Sequence, residues 1–89
     1  MKAGYRIRIT GKVQNVGFRY YTVQTARDFN IDGFVKNNLD GSVYIEAEGE
    51  KDALEGFMDW CRRGPQWARV ESFDVQEQPL MGYEGFKVK

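Results

Sequence analysis

The spacing of apolar residues along this chain switches between a period of two and a period near 3.6, and the order of those switches constrains its fold more than any single residue. Tyr5, Ile7 and Ile9 alternate with Arg6, Arg8 and Thr10, as in a strand that turns one face to a core. After Gly11 a segment containing Gln14, Asn15 and Gly17 breaks the alternation. Phe18, Thr22, Ala26 and Phe29 then recur at helical spacing, which predicts a helix over roughly residues 19 to 29. Asn30 and Gly33 flank its end, and Phe34-Val35-Lys36 leads into Asn37-Asn38-Leu39-Asp40-Gly41, turn chemistry that joins two extended runs as a hairpin. In the second run Val43, Ile45 and Ala47 face one way and Tyr44, Glu46 and Glu48 the other, with Gly49 at its end. Glu50, Lys51 and Asp52 open a second helical stripe of Ala53, Leu54, Phe57, Met58 and Cys61, which Arg62, Arg63, Gly64 and Pro65 close. Val70, Phe73 and Val75 predict a strand whose phase slips once, as at a bulge, and Phe86 and Val88 predict a short terminal strand.

The resulting order is βαββαβ plus an edge strand. Two helices that each bury one stripe against one face of an antiparallel sheet make a two-layer α+β sandwich of the ferredoxin-like type, here with a short extra C-terminal strand. Eighty-nine residues supply one hydrophobic core, so a single domain over residues 1–89 is expected. Many activities share that architecture, and only a site can choose among them.

Composition removes several kinds of chemistry. There is no histidine, hence no His metal ligand and no Ser-His or Cys-His nucleophile. Thirteen basic and thirteen acidic residues cancel, which argues against a surface built for nucleic acid or anionic lipid. A lone cysteine allows no internal disulfide, the N-terminus turns polar too early for a signal peptide, and no apolar run approaches the ~20 residues of a membrane span. A cytoplasmic protein, acting as a monomer without cofactor or metal, is the expectation.

Two segments carry candidate chemistry. Gly11-Lys12-Val13-Gln14-Asn15-Val16-Gly17-Phe18-Arg19 joins a strand to a helix N-terminus, where free N–H groups and the helix dipole favour an anion. Arg19 is disfavoured in a first helical turn by a few tenths to ~1 kcal/mol. It is therefore either a solvated arginine bent away from the helix end or a residue that meets an anion there. Asn37 is either a turn residue or an amide that orients water, since it can accept one hydrogen bond while donating another. Asn38 is the better pure turn candidate.

Together these segments resemble the acylphosphatases. The first follows that family's G-x-V-Q-G-V-x-F-R pattern except at Asn15, where the family has glycine. The second, Gly33-Phe34-Val35-Lys36-Asn37 followed by Gly41, Val43 and Gly49, matches G-[FWY]-V-[KR]-N-x3-G-x-V-x5-G throughout. The resemblance extends over the whole chain, to the basic ending Phe86-Lys87-Val88-Lys89. It implies hydrolysis of a small acyl phosphate, with Arg19 holding the phosphate, Asn37 orienting water, and Gln14, Asn15, Val16, Gly17 and Phe18 forming the phosphate cradle. Inorganic phosphate is then product and inhibitor. Asn15 puts the tightness of that cradle in question, because asparagine is among the few residues that reach positive φ readily.

Other conspicuous residues have plainer readings: Cys61 as a small buried hydrophobe, Trp60 and Trp67 as packing, Asp40 as a turn residue, and Glu46 and Glu48 as a solvated strand face. Tyr20, Tyr21 and Tyr44 receive no role. Two other functional classes compete. An RNA-binding module shares βαββαβ and an aromatic strand echo at Gly33-Phe34-Val35, but the chain lacks clustered stacking aromatics and net positive charge. A sensor or carbamoyl-phosphate-handling domain of a larger enzyme would need a partner domain.

Overall fold

The computed structural model describes all 89 residues, Met1 to Lys89. The opening alternation becomes the long strand β1 (Lys2–Lys12), and the helical stripe that follows becomes α1 (Phe18–Asp28). Next come β2 (Asp32–Asn37), β3 (Val43–Glu50), α2 (Lys51–Arg63), β4 (Arg69–Gln78) and β5 (Phe86–Val88). These are the predicted elements in the predicted order. α1 starts at Phe18 and stops at Asp28, leaving Phe29 as its C-cap, 37% exposed, with its ring against Gly56 of α2 and outside the core.

The strands lie in the order β4-β1-β3-β2-β5. Four of them pair antiparallel as expected, while β5 adds to the edge of β2 in parallel, making the sheet mixed. Nothing in a three-residue terminal strand announces its direction; the path of the preceding segment decides it. The phase slip in β4 is a bulge, because the register passes from Thr10↔Ser72 to Gly11↔Val70 and leaves Glu71 unopposed. Gly33 lets β2 lie flat on β3: it sits at φ 145°, and a Cβ there would fall 1.8 Å from the Glu46 carbonyl oxygen.

Both helices cover one face. Ile7, Ile9, Val35, Val43, Ile45 and Ala47 of the sheet meet Phe18 and Ala26 of α1 and Leu54, Phe57 and Cys61 of α2 in one buried cluster. Each large apolar side chain in that cluster contributes on the order of 1.5–3 kcal/mol through burial. Cys61 is fully buried, as expected of a small hydrophobe, and burial pushes its thiol pKa up. Trp60 packs against the core and against Phe18, but Trp67 is 71% exposed and is a surface residue, because it follows the end of α2 in a turn.

The other face corrects the reading of Glu46 and Glu48 as solvated. Residues 79 to 85 connect β4 at one edge to β5 at the other, and they fold over this face. Glu48 is 6% exposed and accepts backbone N–H groups from Met81, Gly82 and Tyr83. Glu46 accepts the hydroxyls of Tyr44 and Tyr83, each at 2.5 Å, and the amide of Gln78 at 2.9 Å. Asp40 is the expected turn residue, tied to Ser42 and to Arg8 at 2.6 Å.

Candidate active site

β1 ends at Lys12, and residues 13 to 17 carry the chain to the N-terminus of α1. Asn15 takes φ 63° and Gly17 φ 80°, with Val16 between them at negative φ. Alternation of this kind turns successive N–H groups toward one side, the geometry of an anion-binding nest. None of the amides of Gln14, Asn15, Val16 or Gly17 donates in the twelve turn and loop hydrogen bonds of the backbone. Gly17 is the N-cap, no side chain caps the helix, and no acidic residue occupies its first turn. The first N–H groups of α1 are thus also free for an anion.

Arg19 stands in that first turn, exposed, and makes none of the protein's ion pairs, which join Met1 to Glu50, Arg8 to Asp40 and Arg62 to Asp59. Asn37 ends β2 with the same parity as the buried Val35, which puts its side chain on the helix side of the sheet. Its Oδ1 is buried and has no hydrogen-bond partner in the protein. A buried acceptor without a donor costs roughly 1–3 kcal/mol, so it favours anything that brings an O–H or N–H to it.

One open cavity of about 370 Å³ joins these parts. It is lined by Asn15, Gly17, Arg19 and Asn37 on the polar side and by Val13, Phe18, Tyr20 and Val88 on the apolar side. Arg19 and Asn37, 18 positions apart by their residue numbers, therefore share one wall-to-wall space.

The five expected cradle residues divide. Asn15, Gly17 and Phe18 line the cavity, Phe18 with its ring in the core. Val16 packs partly against the core, and Gln14 points elsewhere. Its Nε2 donates to the carbonyls of Asn38 at 2.7 Å and Ser42 at 3.0 Å, fastening the loop to the β2–β3 turn. Gln14 and Val16 can thus offer an anion only backbone. Asn38 is a turn residue as read, its Nδ2 donating to Ser42 Oγ at 2.9 Å. Sequence reasoning missed Val13, Tyr20 and Val88 as lining residues; the available signals were the place of Val13 in the segment Gly11 to Arg19 and the adjacency of Tyr20 to Arg19.

No three acidic or cysteine side chains converge as a metal ligand set requires. No helix is long and apolar enough to cross a membrane.

Fold and site together define a small α+β protein whose first helix presents an uncapped N-terminus and an unpaired arginine to a cavity shared with a hairpin amide. The protein-family model described as Acylphosphatase matches residues 5–88. An acylphosphatase of Salinibacter ruber is 48% identical over 83 residues, 92% of this chain and 87% of that protein. One from Thermotoga petrophila is 45% identical over 89 residues, 100% of this chain and 98% of that one. The crystal structure of acylphosphatase from Bacillus subtilis superposes with a TM-score of 0.95 at 38% identity, over 100% of this chain and 99% of that one. The chain belongs to the acylphosphatase family.

Proposed function

We propose that this chain hydrolyses the anhydride bond of acyl phosphates by direct attack of one oriented water, with Arg19 and the loop amides on the phosphate and Asn37 on the water. The observation that carries this division is that Asn37, whose Oδ1 is buried without a partner, lines the same cavity as the unpaired Arg19. A water donating one proton to Oδ1 keeps its lone pairs free for phosphorus. The water oxygen bonds to phosphorus as the bond from phosphorus to the acyl oxygen breaks, releasing carboxylate and inorganic phosphate.

The chemistry needs little from the protein beyond position and charge. The leaving carboxylate has a conjugate acid of pKa near ~4 and departs without a proton. The water's proton goes to a phosphate oxygen of the substrate, so no histidine is called for. Phosphoryl transfer through a loose transition state spreads charge over the equatorial oxygens, which a planar guanidinium and a ring of N–H groups stabilise. Inorganic phosphate, which shares those oxygens, should inhibit competitively.

We further infer metal-independent action by a cytoplasmic monomer that binds no nucleic acid. The missing histidines and the buried, unpaired Cys61 support the first two. Against RNA stands the helix-free sheet face: Phe34 is 6% exposed beneath Tyr83, and Glu46 and Glu48 lie beside it. Hydrolysis of benzoyl phosphate with and without a chelator tests the main reading. Equal rates are expected; loss on chelation restored by a divalent ion would refute the metal-free mechanism, and no turnover in either case would refute the activity.

A further inference from the structure

Two side chains in the active-site cavity have no part in phosphate chemistry. Tyr20 is 62% exposed and Val88 50% exposed, and both line that cavity. The core does not require Tyr20, which lies off the buried stripe of Phe18, Thr22 and Ala26. Its ring is braced edge-on by Tyr21, with centroids 5.1 Å apart. Val88 is held by the pairing of β5 with β2 and by the bond from Lys89 N to Val35 O at 2.9 Å. The other apolar lining residues, Val13 and Phe18, are 0% and 2% exposed, so Tyr20 and Val88 are the two apolar side chains of the lining that are open to solvent.

We propose that Tyr20 and Val88 form the acyl-group subsite and give the enzyme a preference for aromatic acyl phosphates over acetyl phosphate. This rests on the acyl phosphate reading above. The acyl carbon is joined to the phosphate through a single oxygen, so an acyl group stays beside whatever holds the phosphate. Tyr20 adjoins Arg19 in the chain and on the cavity wall. An aromatic acyl group gains a ring partner there, whereas a methyl group leaves the tyrosine wet.

The test compares kcat/KM for benzoyl phosphate with that for acetyl phosphate in the parent and in Tyr20→Ala, Tyr20→Phe and Trp67→Ala. Tyr20→Ala should lower the benzoyl-to-acetyl ratio roughly three- to tenfold, and Tyr20→Phe should keep the parent ratio, because the ring face and not the hydroxyl makes the contact. Trp67→Ala should keep it too, although Trp67 is more exposed than Tyr20. Inhibition by inorganic phosphate should stay within about twofold in Tyr20→Ala, which separates acyl recognition from phosphate binding. A ratio unmoved by Tyr20→Ala, a parallel fall for both substrates, or a ratio that moves with Trp67→Ala would overturn the subsite. A parent enzyme that hydrolyses neither substrate would instead remove the acyl phosphate reading itself.

Discussion

Arg19 brings a positive charge to the end of a helix that already carries a partial positive charge, and the absence of any acidic neighbour in that turn leaves the conflict to a bound anion. Lysine in its place keeps the charge but loses the planar fork that grips two oxygens at once. Arg19→Lys should therefore lose about 10²–10³ in kcat/KM and bind inorganic phosphate more weakly, whereas Asn37→Ala should lose a similar factor in kcat with phosphate inhibition nearly unchanged. Steady-state kinetics with phosphate as inhibitor separate the two; equal effects on both parameters in both variants would refute the division of labour. Asn15 carries a second prediction. It holds φ 63°, the left-handed conformation expected from its residue type. Glycine there should preserve activity, while Asn15→Val should strain the loop by about 1–3 kcal/mol and impair turnover. Valine at parental activity would show that the nest tolerates other geometry. That conformation was legible because so few residues adopt it. Tyr20 was not, since a solvent-facing tyrosine on α1 looks the same whether or not a cavity lies beside it.

Between elements, the important joint is Gln14. The two bonds of its side chain fasten the loop before α1, the helix that carries Arg19, to the turn after β2, the strand that carries Asn37, so that side chain positions both without itself touching substrate. Gln14→Leu should cost about 1–2 kcal/mol of stability and lower kcat more than it raises KM, because misplacement by even a fraction of an ångström penalises an oriented attack. Unchanged kcat in a folded variant would count against this coupling. The succession of elements, both helices and the β4 bulge could be read from periodicity, since each period reports a buried face. The roles of Glu46 and Glu48 could not. A period of two says that they oppose the helices but cannot say that residues 79 to 85 return across that face. Glu48→Gln replaces one carboxylate oxygen with a donor facing the N–H groups of Met81, Gly82 and Tyr83, and should lower stability by about 1–3 kcal/mol. A denaturant midpoint equal to the parent's would mean that the segment is held mainly by the Tyr83 ring.

For the molecule as a whole, that same face contributes a pH dependence of stability at both the acid and the alkaline end. Burial opposes ionisation of Glu46, yet the donors Tyr44, Tyr83 and Gln78 outweigh it, and its pKa lies below the ordinary 4.5. Tyr44 is pushed up to about 12 by burial and by its bond to Glu46, and Tyr83 to about 12 by its bond to Glu46 and then burial. The tyrosine contribution is complete below the ordinary pKa of 10.0 and is lost as pH rises through about 12; the Glu46 contribution is present above 4.5 and is lost as pH falls below it. Tyrosinate absorbance should show two of the five tyrosines titrating near 12, and five ordinary transitions would refute the network. The sheet order has a further consequence, for synthesis on the ribosome. β1 is made first but lies inside the sheet, between β3 and β4, and Arg6 meets Gln76 70 positions further on. The loop and the asparagine of the site thus emerge long before the frame that aligns them. One edge of β1 stays open until β4 has been translated, so the sheet that aligns the site depends on a late, distant pairing.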